Sequence, residues 1–297
     1  DVFQLEPVVK NDEREILNRA YPTPYFFSAR VFSQIDLVSI ELQKVYRQTD
    51  SVFVSVLDHI RTNTAGAADL QLLNTRYGSH IEESEADMYI TLATRRDTVD
   101  SINEKKLAEL AGEPITFEGS IEGDFPESSL PTSQELVLKP GAQIIFIKND
   151  FDRRWVNGTI GVIAGIDEEE ETIYVITDDG KECDVKRESW RNIRYRYNEK
   201  TKEIEEEVLG SFTQYPIRLA WAITVHKSQG LTFSRVVIDF TGGVFAGGQA
   251  YVALSRCTSL DGIQLKKPIN RADIFVRPEI VNFAGRFNDR QAIDKAL

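Results

Sequence analysis

The sequence predicts an α/β protein built on a parallel sheet, with a small all-β module set inside it. Three observations carry that prediction. Apolar strand-like runs alternate with helical patterns over 46–151 and again over 211–297, the grammar of a parallel sheet. Between those stretches, residues 152–210 switch to short alternating strands separated by turn residues. Polar side chains also crowd the boundaries of the flanking elements, where open sheets hold their ligands.

Along the chain, Pro7, Pro22 and Pro24 interrupt residues 1–45, where FFSARVFSQI (26–35) reads as a short helix and LVSIELQKV (37–45) as a strand. Asp50 is an N-cap for a helix in which Val52, Phe53, Val56, Leu57 and Ile60 recur at helical spacing. A second helix is predicted over 66–76. MYITLATRR (88–96) is a strand with a polar end, and DTVDSINEKKLAELAG (97–112) is a helix stopped by Gly112. Residues 115–122 and 134–148 read as strands, and Asp179-Gly180 marks a hairpin turn within the β-module. Beyond it the spacing predicts a helix over 217–228, a strand over 235–240, a helix over 248–256 and a strand over 262–266. The closing residues read as helical.

Composition narrows the function. The chain has 297 residues, 41% hydrophobic and 28% charged, as in an ordinary globular protein, with a formal net charge of −12. No apolar run approaches the roughly 18–20 residues of a membrane span. The start, DVFQLEPVVKNDERE, lacks the basic-then-apolar pattern of a secretory signal, so neither membrane insertion nor secretion is expected. The one methionine, Met88, is internal, and the chain is therefore expected to continue upstream of Asp1. Cys183 and Cys257 are far apart and His59, His80 and His226 are scattered, which indicates neither a disulfide framework nor a metal site. A reducing compartment fits. The acidic balance counts against a broad basic surface. Its acidic runs, Asp167–Glu171 and Glu203–Glu207, read as solvated turns or strand faces.

Two segments concentrate chemistry. In QYPIRLAWAITVHKSQGLTFSRVVIDF (214–240), Thr224, His226, Lys227, Ser228 and Gln229 cluster before Gly230, which serves as a helix C-cap, and before an apolar strand. Several of these are donors to phosphate; a capped helix with exposed polar residues gives the same pattern. In GGQAYVALSRCTSLDGIQL (247–265), Arg256 follows the apolar run AYVAL. An arginine on a rigid helix end can reach across an interface to a γ-phosphate, and its planar fork is not replaceable by lysine. A surface cation would look the same.

Together, AWAITVHKSQGLTF and GQAYVALSRCTSLDGI resemble motifs V and VI of the PIF-type and RecD-like helicases of superfamily 1 (branch 1B). DVFQLEPVV (1–9) resembles motif III, usually GD-x-x-QLPPV, with Gln4 kept and Glu6 in place of the first proline. ELQKVYRQTDSVFVSVLDHIR (41–61) resembles motif IV, with Arg47 and Gln48 in place. ITLATRRDTVDSIN (90–103) resembles a DNA-contacting strand end, and LKPGAQIIFIKND…VNGTIGVI (138–163) the approach to an inserted β-barrel. The segments follow the family's order across most of the chain.

That resemblance implies a RecA-like second motor domain at 46–151 and 211–297. Residues 1–45 would be left over from the first motor domain, and an SH3-like barrel would be inserted at 152–210. It implies Gln4, Arg47 and Arg256 as catalytic groups at the γ-phosphate, and Gln48, Gln229 and Gly230 as nucleotide-binding. Thr94, Arg95, Thr224, His226, Lys227 and Ser228 are implied as DNA-binding. ATP and Mg²⁺ would be held mainly by a missing N-terminal motor domain, and single-stranded DNA would be the partner of a monomer. The family's 5′→3′ translocation, duplex unwinding and roles in DNA repair, recombination and telomere maintenance suit a bacterial cytoplasm, a nucleus or a mitochondrion.

A phosphate-binding loop, G-x-x-x-x-G-K-[ST], is nowhere in the chain; Gly180-Lys181 is followed by Glu182. This chain alone is therefore expected not to hydrolyse ATP. Two other functions remain in view: a non-catalytic single-strand-binding protein, and an interaction scaffold built on the β-module. Trp155, Trp190, Tyr195 and Tyr197 suit either base stacking or the core of a barrel.

Overall fold

The computed structural model describes residues 1–9, 11–35, 37–79, 88–198 and 202–296. In chain order the helices and strands begin with α1 (Asn11–Ala20), α2 (Ser51–Arg61), α3 (Ala67–Asn74), β1 (Ile90–Ala93) and α4 (Arg96–Glu109). Then come β2 (Ile115–Glu118), β3 (Ser120–Gly123), β4 (Glu135–Leu138), β5 (Gln143–Phe146), β6 (Ile160–Asp167), β7 (Thr172–Thr177) and β8 (Glu182–Val185). Next are β9 (Glu188–Asn198), β10 (Glu203–Gln214), β11 (Ile217–Leu219), β12 (Ala222–Thr224) and β13 (Val236–Asp239). Last are α5 (Gln249–Ser255), β14 (Ile263–Leu265), α6 (Pro278–Ala284) and α7 (Arg290–Ala296).

The chain forms two compact units, one of residues 1–82, 91–95 and 224–297, the other of 83–90 and 96–223. A four-stranded sheet of order β12-β1-β13-β14 supports the first, and β13 and β14 pair in parallel. The four residues of β1 and the four of β13 are all buried, so neither strand shows the alternating burial of a sheet with one face in water. Asp50 caps α2 as its position predicts: the carboxylate accepts from the N–H groups of Val52 at 2.9 Å and Phe53 at 3.4 Å. The buried face of α2 is Phe53, Val56, Leu57 and Ile60. Asp69 accepts from Gly66 N–H at 2.7 Å, closing the first turn of α3, and its other oxygen meets His59 at 2.9 Å.

The second unit is β-rich. An antiparallel sheet runs β11-β5-β6-β7-β8, beside a three-stranded sheet β3-β10-β9 and the pair β2-β4. Its core gathers Phe117, Leu138, Ile144, Phe146, Ile173 and Tyr215. Trp155 is core as well, stacked on Phe146 at 4.3 Å, and Trp190 stacks on Phe212 at 5.9 Å. Tyr195 and Tyr197 are not core: each is 63% exposed on β9. Asp179-Gly180 turns the chain between β7 and β8, with Gly180 at φ +80. The run Asp167–Glu171 forms the β6–β7 turn, and Glu203–Glu207 lies on β10.

Several expectations change. The helix expected over 217–228 is instead β11, β12 and a single 3₁₀ turn at His226–Ser228. β-Branched Ile217, Ile223 and Thr224 favour extended backbone, and neighbouring chain takes up the polar groups: Ala220 N–H donates to Gln143 O and Val225 N–H to Ala93 O, both at 2.9 Å. Gly230 is therefore no helix cap, although it does take φ +83 after the 3₁₀ turn. No strand forms over 37–45, because that segment finds no neighbouring strand among the described residues and leaves Leu37, Ile40, Leu42 and Val45 exposed. The strand expected over 115–122 breaks at Gly119, where a Cβ would meet the Phe212 ring at 2.6 Å. The one over 134–148 breaks at the Pro140-Gly141 turn into β4 and β5. The β-sheet also exceeds 152–210, since β5 and β11 pair within it, and its order is open from β11 to β8 rather than a closed barrel.

Replacing Asp50 by Ala is expected to lower stability by about 1 kcal/mol through the lost cap. Leu92→Ala, at a site with 0% exposure, should lower it by about 2–5 kcal/mol. Urea unfolding curves of both variants check the ranking; a larger loss for Asp50→Ala would contradict it.

Candidate functional site

The first unit gathers most of the polar residues singled out in the sequence. α5 is short and buried because its QAYVALS sequence carries small and apolar side chains over nearly every position. It ends by presenting Arg256, which is 1% exposed. The guanidinium donates from Nε to Val252 O at 3.0 Å and from Nη2 to Ser255 Oγ at 2.9 Å. Nη1 donates to Leu231 O at 3.3 Å and Ser228 O at 3.5 Å. None of these partners is a carboxylate. Burial, with the neighbouring Arg47 cation adding repulsion, pulls the Arg256 pKa down to about 10.

Arg47 comes from the segment before α2, far away in sequence. Its Nε donates to Thr232 Oγ1 at 2.9 Å and its Nη1 to Ser255 O at 3.2 Å. Gln48 is buried beside it and donates from Nε2 to Ser255 O at 3.1 Å and Cys257 O at 2.8 Å. One residue, Ser255, thus accepts from both arginines and from Gln48. The carbonyls that hold Arg256, Ser228 O and Leu231 O, bracket Gln229 and Gly230. Gln229 is exposed and donates to Gln4 Oε1 at 3.3 Å. Gly248 explains how Gln4 comes so close: at φ +76 it has no Cβ, and one built there would lie 2.4 Å from the carbonyl oxygens of both Phe3 and Gln4. Gln4, Arg47, Gln48, Gln229, Gly230 and Arg256 therefore form one connected group.

A second group follows the ends of β1 and β12. Thr94 is buried, and its Oγ1 has no hydrogen-bond partner. Arg95 is exposed and donates from Nε to Gly242 O at 2.8 Å. At Gly242 a Cβ would lie 2.9 Å from Arg95 Cδ and 3.1 Å from Thr94 Oγ1, so a larger residue there would make those side chains shift. Thr224 Oγ1 accepts from Lys227 N–H at 3.3 Å, and Lys227 itself is exposed. The His226 ring stacks on Phe245 with centroids 6.5 Å apart, and burial lowers its pKa from 6.5. Ser228 differs from the rest: it is fully buried and its hydroxyl donates to Val225 O at 2.7 Å.

Thr232, Ser255 and Gly242 had no place among the residues singled out from the sequence. The pair Gly242-Gly243 after a buried strand was the one available signal; a serine backbone carbonyl leaves none. Of the three histidines, His80 lies outside the described residues. Among the described residues no group of three or more His, Cys, Asp or Glu is placed to hold a metal ion, and no helix is long and apolar enough to cross a membrane.

No protein-family model matches the chain. Individual proteins do. The ATP-dependent DNA helicase Pif1 of Campylobacter jejuni is 32% identical over 279 residues, covering 89% of this chain and 61% of that protein. The fold is similar to that of a Bacteroides Pif1 in complex with ADP-AlF4, with a TM-score of 0.81, 36% identity, and coverage of 99% of this chain and 66% of that one. A Bacteroides Pif1 bound to ssDNA is similar at a TM-score of 0.73 and 36% identity, over 98% of this chain and 66% of that one. The chain spans about three fifths of the curated relative's length, 61%.

The His226 pKa gives a pH dependence with a definite sign. Folding lowers this imidazole's pKa below 6.5, so between the two values the unfolded chain binds more protons. Its contribution to stability is complete above about pH 6.5 and is lost as pH falls through the lowered value. NMR titration of the His226 ring should place its midpoint below 6.5. A midpoint above that value would contradict the burial argument.

Proposed function

This chain belongs with the Pif1 DNA helicases, and on that premise we propose that it supplies the second half of an ATP-driven motor that moves along single-stranded DNA and separates duplexes. The supporting observation is the meeting of Arg47 and Arg256 on Ser255. In this reading the first unit is the RecA-like second motor domain, and residues 1–45 derive from the first. The strands around 152–210 are the SH3-like insertion.

The residues present fit a nucleotide's phosphates. Arg256 is a desolvated cation with no carboxylate among its hydrogen-bond partners, and Arg47 beside it raises the local positive potential. An anion placed against the pair relieves both the repulsion and the desolvation. ATP supplies, when bound, a terminal phosphoryl group for transfer to water. Arg256 and Arg47 then act as arginine fingers, stabilising charge that develops on that group. Gln4, which accepts from Gln229, is assigned to sensing the state of the phosphate. Gln48 holds the arginine-bearing segment to the end of α5, and Gly230 lets the chain turn away beside Gln229. Mg²⁺ is assigned to the other motor domain, and no residue here is given that task.

Thr94, Arg95, Thr224, His226, Lys227 and Ser228 are assigned to the DNA side, Arg95 and Lys227 as exposed groups and Thr94 and Ser228 as buried ones. The exposed Arg95 guanidinium suits phosphate oxygens of the strand, a contact that positions without reading sequence, and Thr94 is buried just before it at the end of β1. Ser228 acts from the interior. Its hydroxyl and its carbonyl tie the DNA side of the 3₁₀ turn to Arg256, so a shift at either end is felt at the other. Repeated closing and opening around ATP then becomes movement along the strand, 5′→3′ as in the family.

The missing phosphate-binding loop favours a second reading, strand binding without turnover. Kinetics of the intact enzyme separate the two. Arg256→Ala should lower ssDNA-stimulated hydrolysis by about 10³–10⁵ while leaving ssDNA affinity unchanged. Near-normal turnover in that variant removes the finger assignment. The 297-residue chain by itself should bind ssDNA in a salt-dependent way and show no ATPase activity above background; robust hydrolysis would overturn the division of labour.

A further inference from the structure

Glu6 stands where the resembling motif has proline, and the structure gives it four contacts. Its Oε2 accepts from Arg277 Nε at 3.1 Å and from the Tyr25 hydroxyl at 3.2 Å. Its Oε1 accepts from Gly247 N–H at 3.4 Å and Arg277 Nη2 at 3.5 Å. Those partners come from three places: the segment ahead of the 3₁₀ turn at Phe26–Ser28, the loop before α5, and the N-cap of α6. Proline could accept none of these bonds. It would hold the backbone through its fixed φ, whereas Glu6 holds it from outside through a charge.

The location gives this substitution a consequence. Two residues before Glu6 is Gln4, and just before that is Phe3, buried in a cluster with Tyr25, Val276 and Ile280. Gln4 is therefore fixed on one side by apolar packing and on the other by an ion pair, with Gly248 pressed against its carbonyl. The ion pair is partly sheltered: the Glu6 side chain is 23% exposed and that of Arg277 51%. The Arg277 pKa is raised, chiefly by its hydrogen bond to Glu6, and the Tyr25 phenol is pushed up by burial and by the same carboxylate.

We propose that Glu6 is a positioning residue: paired with Arg277 and bound to Gly247 N–H, it holds Gln4 against Gln229 at the nucleotide edge, replacing the backbone restraint of a proline by an electrostatic one. The inference rests on the reading of Gln4 given above. It concerns a residue that touches neither the nucleotide nor DNA, and it assigns to this chain a tie between its first segment and α6.

The test uses the intact enzyme and follows steady-state ATP hydrolysis, ssDNA affinity and thermal unfolding. Glu6→Ala and Arg277→Ala should each lower kcat by about tenfold, the scale of losing a hydrogen bond to a charged group. ssDNA affinity should not move. Glu6→Gln, which keeps an acceptor for Gly247 N–H and for Arg277, should retain more of the kcat than Glu6→Ala, a difference that a general loss of folding would not produce, and Glu6→Pro should also retain activity. Normal kcat in both alanine variants overturns the proposal, as does a Glu6→Gln variant no better than Glu6→Ala. The controls are Gln4→Ala and Arg256→Ala. If these two hydrolyse ATP normally, the reading of the site fails and the role of Glu6 with it. If they are inactive while the Glu6 and Arg277 variants are normal, the site reading stands and the role of Glu6 alone is refuted.

Discussion

Ser255 is where two guanidinium groups are brought together, and the rest of the first unit is arranged so that they can stay there. Its carbonyl accepts from Arg47 and Gln48, and its hydroxyl from Arg256. Like charges at close range repel, and a buried cation loses its hydration. Here neither cost is met by a carboxylate among the Arg256 hydrogen-bond partners. Backbone carbonyls of Ser228, Leu231 and Val252 take that role. Carbonyl dipoles hold the cation in place without neutralising it.

The fold supplies those carbonyls by unusual local means. After the 3₁₀ turn at His226–Ser228, Ser228 O accepts from Leu231 N–H at 3.0 Å and from Arg256 at 3.5 Å, and Leu231 O accepts from the same guanidinium at 3.3 Å. α5 is correspondingly short, and Arg256 lies at its C-cap rather than one turn inside it. Glycines complete the approach: Gly248 admits the backbone of Phe3 and Gln4, and Gly242 admits Arg95 and Thr94. A Cβ at Gly248 would push apart the backbone segments whose contact brings the first group of candidate residues together.

Glu6 belongs to the same economy of contacts. The first segment of the chain has few partners of its own, with Val8 and Pro7 exposed. It is held by Phe3 on the apolar side and by Glu6 on the charged side, and Gln4 sits between these two anchors. Sheet and helix packing give the site its frame, while a few ion pairs and glycine approaches set its final geometry.

Much was legible in the sequence where one residue's neighbours along the chain decide the outcome. Asp50 as a cap, the buried face of α2, the Asp179-Gly180 turn and the buried runs of β1 and β13 all follow from local spacing. So do the motif residues themselves, because their types and order are a one-dimensional signal. The conformation of 217–228 was not legible: its apolar spacing suits a helix, yet the edges offered by Gln143 and Ala93 lie far off along the chain and outweigh that local preference. The strand expected over 37–45 failed for the converse reason, since extended backbone needs a neighbour and none arrived among the described residues. Sequence alone determined which chemical groups this protein carries and in what order. Only the tertiary structure decided that Arg47 and Arg256 share Ser255, that Ser228 turns inward and that Glu6 meets Arg277, because each of these is a contact between residues the chain separates and only packing can join.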